Sequence, residues 1–314
     1  MYDHKRNWNM YNQQLVDRGR PSTYLKSAIC NHSSDLSKMN QNKVGKPYRY
    51  TTLEVIAAFA IKSVFKIGYR EAAGSIADYA ESNNLQLEPN FRSIHWRISK
   101  MQKEGIKLLI YPKGKGCLEV IIDASGIKSV NDGEYRSTKY DKIKVWEKIH
   151  IAIDRETRRI INIIVTENDV GDITEFIPLL KPIEERNRVT TVITDGAYGS
   201  ENNFKHCDDK AISTLIPVHV NSINGKHKKR RIEEQLGLDC KRGSTRLNRH
   251  ITEEMKQKNQ DMWKKKSGYH RRSMVETVFS VFKGTFGEYT FSKRKDMKEK
   301  ELLLKTVVYN TFLT

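Results

Sequence analysis

Three stretches rich in isoleucine and valine, crowded between residues 117 and 167, constrain this chain more than anything else in it. The first is the apolar run CLEVIIDASG at 117–126. In the second, Ile143, Val145, Ile149, Ile151 and Ile153 alternate with other residues, and the third is IINIIVTE at 160–167. Period-two alternation is what a strand with one face on a core requires. The links carry turn chemistry, Asp132-Gly133 in the first and DRETRR at 154–159 in the second. Strands joined by turns rather than helices pair antiparallel, so the spacing predicts a meander.

Helices and strands alternate after that. Asp172-x-x-Glu175 can cap a helix through Leu180, with Pro178 and Pro182 blurring its end. RVTTVITDGAYGS at 188–200 reads as a fourth strand closing on Asp195, NNFKHCDDKA as a helix, and ISTLIPVHV at 212–220 as a fifth strand. A helix over Ser267 to Phe286 puts Val275, Phe279, Phe282 and Phe286 on one apolar side. ELLLKTVVYNTFL near the end is apolar enough to pack as a last helix. The order βββαβαβ plus helix is a mixed α/β sheet with helices on its faces.

The first 50 residues are polar and read as a short helix, anchored by Trp8, Tyr11, Leu15 and Val16, followed by an irregular connector through GRP at 19–21. A capping box, Thr51-x-x-Glu54, then opens a helix, followed by helices over 69–79 and 91–101. Arg92, His95 and Lys100 face outward on the third, an arrangement compatible with a helix-turn-helix DNA-binding unit. The chain is thus expected to divide into a helical region, 1–110, and an α/β region, 111–314.

Charge points to the partner. With 56 Lys+Arg against 38 Asp+Glu the formal net charge is +18, and an excess of this size favours a polyanion through counterion release. No 18-residue apolar run and no clean basic amphipathic helix favours a membrane. The polar N-terminus lacks a signal-peptide core, and the dispersed Cys30, Cys117, Cys207 and Cys240 fit reduced thiols, so a cytoplasmic location is expected. Much of the charge lies in a polar insertion at about 221–266, in clusters Lys226 to Arg231, Lys241 to Arg249 and Lys264 to Lys266. A charge run is usually a solvated loop. Its alternative role is to track a DNA backbone.

Three acidic residues stand where chemistry could be built. Asp123 and Asp195 each follow an apolar strand and precede small residues, and parallel neighbouring strands would bring both to one end of the sheet. Glu276 lies on the Ser267–Phe286 helix, where Tyr269, Arg272, Glu276 and Lys283, spaced 3, 4 and 7 apart, fall within an arc of about 60°. Singly, each has a plain explanation: a turn-forming Asp, a capping box Ser273-x-x-Glu276, an (i, i+4) pair Arg272 to Glu276. Together, three carboxylates supply the oxygen donors that two Mg²⁺ or Mn²⁺ ions need for phosphoryl transfer. Arg272 and Lys283 could grip phosphate, and Tyr269 could stack or hydrogen-bond on the same DNA strand.

Tyr269-x2-Arg272-x3-Glu276-x6-Lys283 resembles the YREK signature of DDE transposases from prokaryotic insertion sequences, and Asp123 in IIDASG and Asp195 in ITDGAY look like the first two acids of that triad. The likeness runs from Trp8 to Gly19 through FGEY at 286–289 to Tyr309-Asn310. It implies a ribonuclease H-like core, two divalent ions on Asp123, Asp195 and Glu276, and cleavage at transposon ends followed by attack of a 3′-hydroxyl on target DNA. The implied partner is double-stranded DNA, bound by a dimer. In the segment 170–172, where such proteins often have His before Asp, this chain has Val170-Gly171-Asp172, and Asp172 receives no role. Two alternatives stand beside this reading. One is a DNA-binding regulator using residues 51–101. The other is a metal-independent tyrosine recombinase with Tyr309 or Tyr269 as nucleophile and His270, Arg271 and Arg272 around it.

Overall fold

The computed structural model describes residues 8–85, 87, 89–111, 116–129, 146–218, 225–240 and 252–313. Seven helices come first: α1 (Trp8–Arg18), α2 (Pro21–Ile29), α3 (His32–Asn40), α4 (Thr52–Val64), α5 (Tyr69–Ser82), α6 (Phe91–Lys100) and α7 (Lys103–Ile110). The expected connector after residue 18 is therefore two further helices. Pro21 occupies the first position of α2, where a missing N–H costs nothing and its fixed φ suits the helix. The Thr51/Glu54 capping box forms in both directions, with Glu54 N donating to Thr51 Oγ1 at 3.2 Å and Thr51 N to Glu54 Oε2 at 2.9 Å. Residues 83–90 between α5 and α6 are longer than the tight turn of a helix-turn-helix.

Next come β1 (Cys117–Ser129), β2 (Trp146–Asp154), β3 (Ile160–Glu167), α8 (Asp172–Glu184), β4 (Arg188–Thr194), α9 (Glu201–Asp209) and β5 (Ser213–Leu215). The chain continues through α10 (Lys226–Leu236), α11 (Glu253–Ser267), α12 (Ser273–Phe286), β6 (Tyr289–Thr290) and α13 (Lys295–Thr311). The sheet order is β3-β2-β1-β4-β5, with β6 joining β1. β1, β2 and β3 are antiparallel as the meander predicts, while β4 and β5 run parallel to β1. That order and those directions make a ribonuclease H-like α/β sheet. The Asp132-Gly133 turn, with Ile143 and Val145, lies outside the described residues.

The two faces of β1 sort the core. Ile121 and Ile127 join a cluster with α2, α4, α12 and α13, whereas Val120 and Ile122 join one with α8, α9 and α10. On α12 the stripe Val275, Phe279, Phe282 and Phe286 is buried, each side chain contributing about 1.5–3 kcal/mol of transfer free energy. Because α4 shares this cluster, the helical region helps to seat the helix that carries Glu276.

The insertion is more ordered than a solvated loop. Glu201 of α9 accepts hydrogen bonds from the backbone N of His227 (3.1 Å) and Lys228 (2.8 Å), satisfying free amides at the start of α10. Gly225, at φ +82, a backbone conformation that favours glycine, passes so close to Glu201 that a Cβ there would meet its carboxyl carbon at 2.0 Å and push the carboxylate off the two amides. Lys228 and Arg231 are buried, and Arg231 forks onto Asp208 with N–O distances of 2.6 and 2.9 Å. These two cations anchor the insertion, which departs from the solvated loop expected of a charge run. Lys241, Arg242, Arg246 and Arg249 lie outside the described residues.

Candidate active site

Asp123 and Asp195 come together through strand register. The last parallel pair between β1 and β4 is Ile122 with Thr194, so the next rung sets Asp123 beside Asp195. β1 does not end there. It continues to Ser129, paired with β2 and then β6, so Asp123 sits mid-strand where only the β4 side falls away. Its parity with Ile121 and Ile127 directs it to the face covered by α12. Asp195 opens a 3₁₀ turn, Gly196–Tyr198, and caps it by accepting from Ala197 N at 3.2 Å.

α12 brings the third carboxylate. Arg272 Nη1 lies 3.0 Å from Asp123 Oδ2, and its Nη2 bonds Glu276 Oε1, so one guanidinium bridges a strand acid and a helix acid. The anticipated Ser273/Glu276 capping box is absent: Ser273 Oγ donates to His270 O, and Glu276 spends its carboxylate on Arg272. Tyr269 to Arg272 form a separate 3₁₀ turn rather than part of α12, so only Glu276 and Lys283 lie on one continuous helix. Tyr269 stands at the end of α11, its ring 5.9 Å from that of Trp263.

Electrostatics ties the group together. Burial raises the Asp123 pKa; the Ala124 amide and Arg272 oppose this, while Asp195 and Glu276 add to it. The Tyr269 phenol is pushed up to about 12, chiefly by burial, with Arg272 opposing and the same three acids reinforcing it. Asp195 and Glu276 are exposed. Among the described residues no three His, Cys, Asp or Glu side chains are gathered closely enough to hold an ion as they stand. The donor set nevertheless suits a hard divalent cation: three carboxylates with no sulfur or imidazole, two of them exposed, and mutual repulsion that an added positive charge would relieve.

Several participants escaped sequence reasoning. Arg271, adjacent to Arg272, points to Glu119 at 3.0 Å, and Arg155 joins the same carboxylate at 2.9 Å. The two neighbouring arginines thus staple one turn to β1 at Glu119 and Asp123; the equal parity of 119 and 123 was the available signal. Behind the sheet, Lys148 Nζ meets Asp172 Oδ1 at 2.6 Å, and fully buried His150 reaches Thr166 Oγ1 at 3.0 Å. Burial lowers the His150 pKa to about 4 against the pull of Asp172, so its ring is neutral near pH 7. Tyr309, one of the two recombinase candidates beside Tyr269, is buried in the core with its ring 6.1 Å from that of Phe282, which leaves it unavailable as a nucleophile.

A family model described as "Transposase DDE domain" matches residues 117–311, and a second with the same description matches residues 16–132. The chain belongs to the transposase DDE domain family. Membership makes it a transposase, an enzyme that cuts and joins nucleic acid, with DNA as its partner; DDE transposases as a class use divalent metal ions. Among solved structures, a piggyBac transposase synaptic complex with hairpin DNA matches at 13% identity, covering 96% of this chain and 74% of that one with a TM-score of 0.41. The Drosophila P element transposase strand transfer complex matches at 11% identity over 90% and 70% of the two chains, TM-score 0.36. Likenesses at this level add no weight to the family assignment.

Proposed function

We propose that this transposase cleaves DNA at the ends of a prokaryotic insertion sequence of the YREK group and transfers the resulting 3′-hydroxyl to target DNA. The supporting observation is the convergence just described: Asp123 beside Asp195 where the neighbouring strands β1 and β4 part, with Arg272 joining Asp123 to Glu276. In this reading Asp123, Asp195 and Glu276 would hold two Mg²⁺ or Mn²⁺ ions. Such ions, once bound, activate the attacking oxygen and stabilise the leaving one during in-line displacement.

The chain's own residues do the rest. Arg272 neutralises two of the three acids before DNA arrives, and its fork is then suited to a phosphate. Lys283, two turns along α12, meets the next stretch of backbone as a point charge. Tyr269, kept a neutral phenol, offers a hydrogen bond or a ring beside the same strand. Two ends must be held at once for both to be joined, so the DNA-bound form is a dimer working in the cytoplasm on nucleoid DNA. No described helix is long and apolar enough to cross a membrane.

Purified protein incubated with a fragment carrying both ends of its own element should release 3′-hydroxyl ends with Mg²⁺ or Mn²⁺ and none with a chelator. Asp123→Asn should lower that cleavage by about 10³-fold or more while binding the ends as tightly or more tightly, since one charge that repels phosphate is gone. Cleavage in the chelator, or at the wild-type rate by Asp123→Asn, contradicts the proposal.

A further inference from the structure

Helix α6 turns a basic face to solvent that neither the packing nor the proposed chemistry uses. Its sequence, FRSIHWRISK, contains no Asp or Glu. Ile94 and Ile98 are buried on its underside, and Arg97 also turns inward, donating from Nη1 to Tyr50 O at 2.7 Å with its guanidinium over the Tyr48 ring. Asn90 caps the helix, its Oδ1 accepting from the backbone N of Arg92 at 3.0 Å and of Ser93 at 3.1 Å, while its own N donates to Tyr50 Oη. The helix is held from beneath and at its start. That leaves Arg92, Ser93, His95, Trp96 and Lys100 exposed on the other side, with Arg92, Trp96 and Lys100 in one row four residues apart.

Two features of that face suit duplex DNA better than water. Trp96 is 53% exposed, a large apolar surface among cations. The guanidiniums of Arg70 and Arg92 lie over the Phe91 ring, 5.1 and 5.7 Å from its centroid, and among the described residues neither is in an ion pair. Stacking on a ring orders a guanidinium and leaves its in-plane N–H donors for another partner. An α-helix fits the major groove, where arginine matches the two acceptors of guanine and an apolar side chain meets the methyl group of thymine.

The placement of α6 sets its distance from the acids. β1 continues six residues past Asp123 to Ser129, about 20 Å, and β6 pairs with it there. α12 spans the same interval, from Arg272 at Asp123 to Gly287 just before β6, with Lys283 on the way. Phe291 and Lys293, directly after β6, line one cavity with His95 of α6. Cations therefore run from Arg272 through Lys283 and Lys293 to the α6 face. DNA lying along that line, at about 3.4 Å per base pair, meets α6 about six to nine base pairs from the acids.

We infer that α6 reads the end of the element in the major groove, about six to nine base pairs inside the cut bond, with Arg92 and Trp96 on base edges and Lys100 on a phosphate. The inference rests on the reading of the acids as the place where the end is cut.

The test is binding of the full-length protein, without divalent metal, to a duplex carrying one end of its own element and to a scrambled duplex of equal length. Wild type should prefer the element end. Arg92→Gln and Trp96→Ala should each lower that preference by about tenfold, while the scrambled duplex is bound within about threefold of wild type. Base-pair changes about six to nine positions inside the cut bond should weaken wild type by about tenfold and Arg92→Gln little further. Lys100→Gln should weaken both duplexes alike. A wild type that does not distinguish the duplexes, a preference unchanged in both variants, or base sensitivity confined to the last few pairs would overturn the inference. Because no metal is present, a protein that binds in this way yet never cleaves with Mg²⁺ or Mn²⁺ would count against the catalytic reading alone.

Discussion

Arg272 carries two jobs that an unaided sequence reading assigns to one neighbourly pair. Its guanidinium reaches Glu276 four residues along, as the spacing predicts, but it also reaches Asp123 across 149 residues of chain. Lys would keep the charge and lose the fork that serves two carboxylates at once. Arg272→Lys should therefore slow end cleavage by about tenfold or more, the worth of one charge-assisted hydrogen bond, while the unfolding temperature moves little because the pair is partly solvated. Wild-type cleavage by Arg272→Lys would assign the bridge to surface decoration. That Asp123 and Asp195 could lie side by side was legible as a consequence of parallel neighbouring strands, although β1 runs on to Ser129 and leaves Asp123 mid-strand. The Glu119 partner of Arg271 and the Thr166 partner of His150 were not legible, because they lie far along the chain.

Among the elements, the insertion shows how charge runs mislead. Lys228 to Arg231 look like a solvated face, yet α10 turns Lys228 and Arg231 inward and leaves Arg230 on Asp208 from outside. Burial pushes the Asp208 pKa up, but hydrogen bonds from Arg231 and His227 and the nearby guanidinium charges outweigh it and bring the value to about 2. A depressed carboxylate pKa stabilises the fold above its unfolded value, 3.8, and the gain is lost as pH falls from there through about 2. The full contribution is on the order of 2 kcal/mol. Asp208→Asn should remove it near pH 7, so that the acid-unfolding curves of variant and wild type converge between pH 4 and pH 2. Parallel curves over that window would contradict the assignment. The same helices were hidden from sequence reading because their apolar positions are few and their polar ones abundant. The strands were plain because their alternation is dense.

At the scale of the whole molecule, the order of strands was readable but the way the halves meet was not. The capping box at Thr51 and the apolar spacing of α4 announced a helix. Nothing announced that its buried face would join the cluster under α12 and α13. The register of β1 with β4 was inferable only as a possibility of parallel neighbours; its realisation depends on α8 crossing the sheet between β3 and β4. One scaffold therefore fixes all three acids, two by strand register and one by a helix packed on the same sheet.

The central claim is that Asp123, Asp195 and Glu276 act as one unit, and end cleavage by Asp123→Asn, Asp195→Asn, Glu276→Gln and the triple variant tests it most directly. Each single change should reduce cleavage nearly as far as the triple does, because removing one member of a cooperating set disables the whole, while all four variants still bind element ends. Losses that add up independently, or a single variant that cleaves at the wild-type rate, would contradict it.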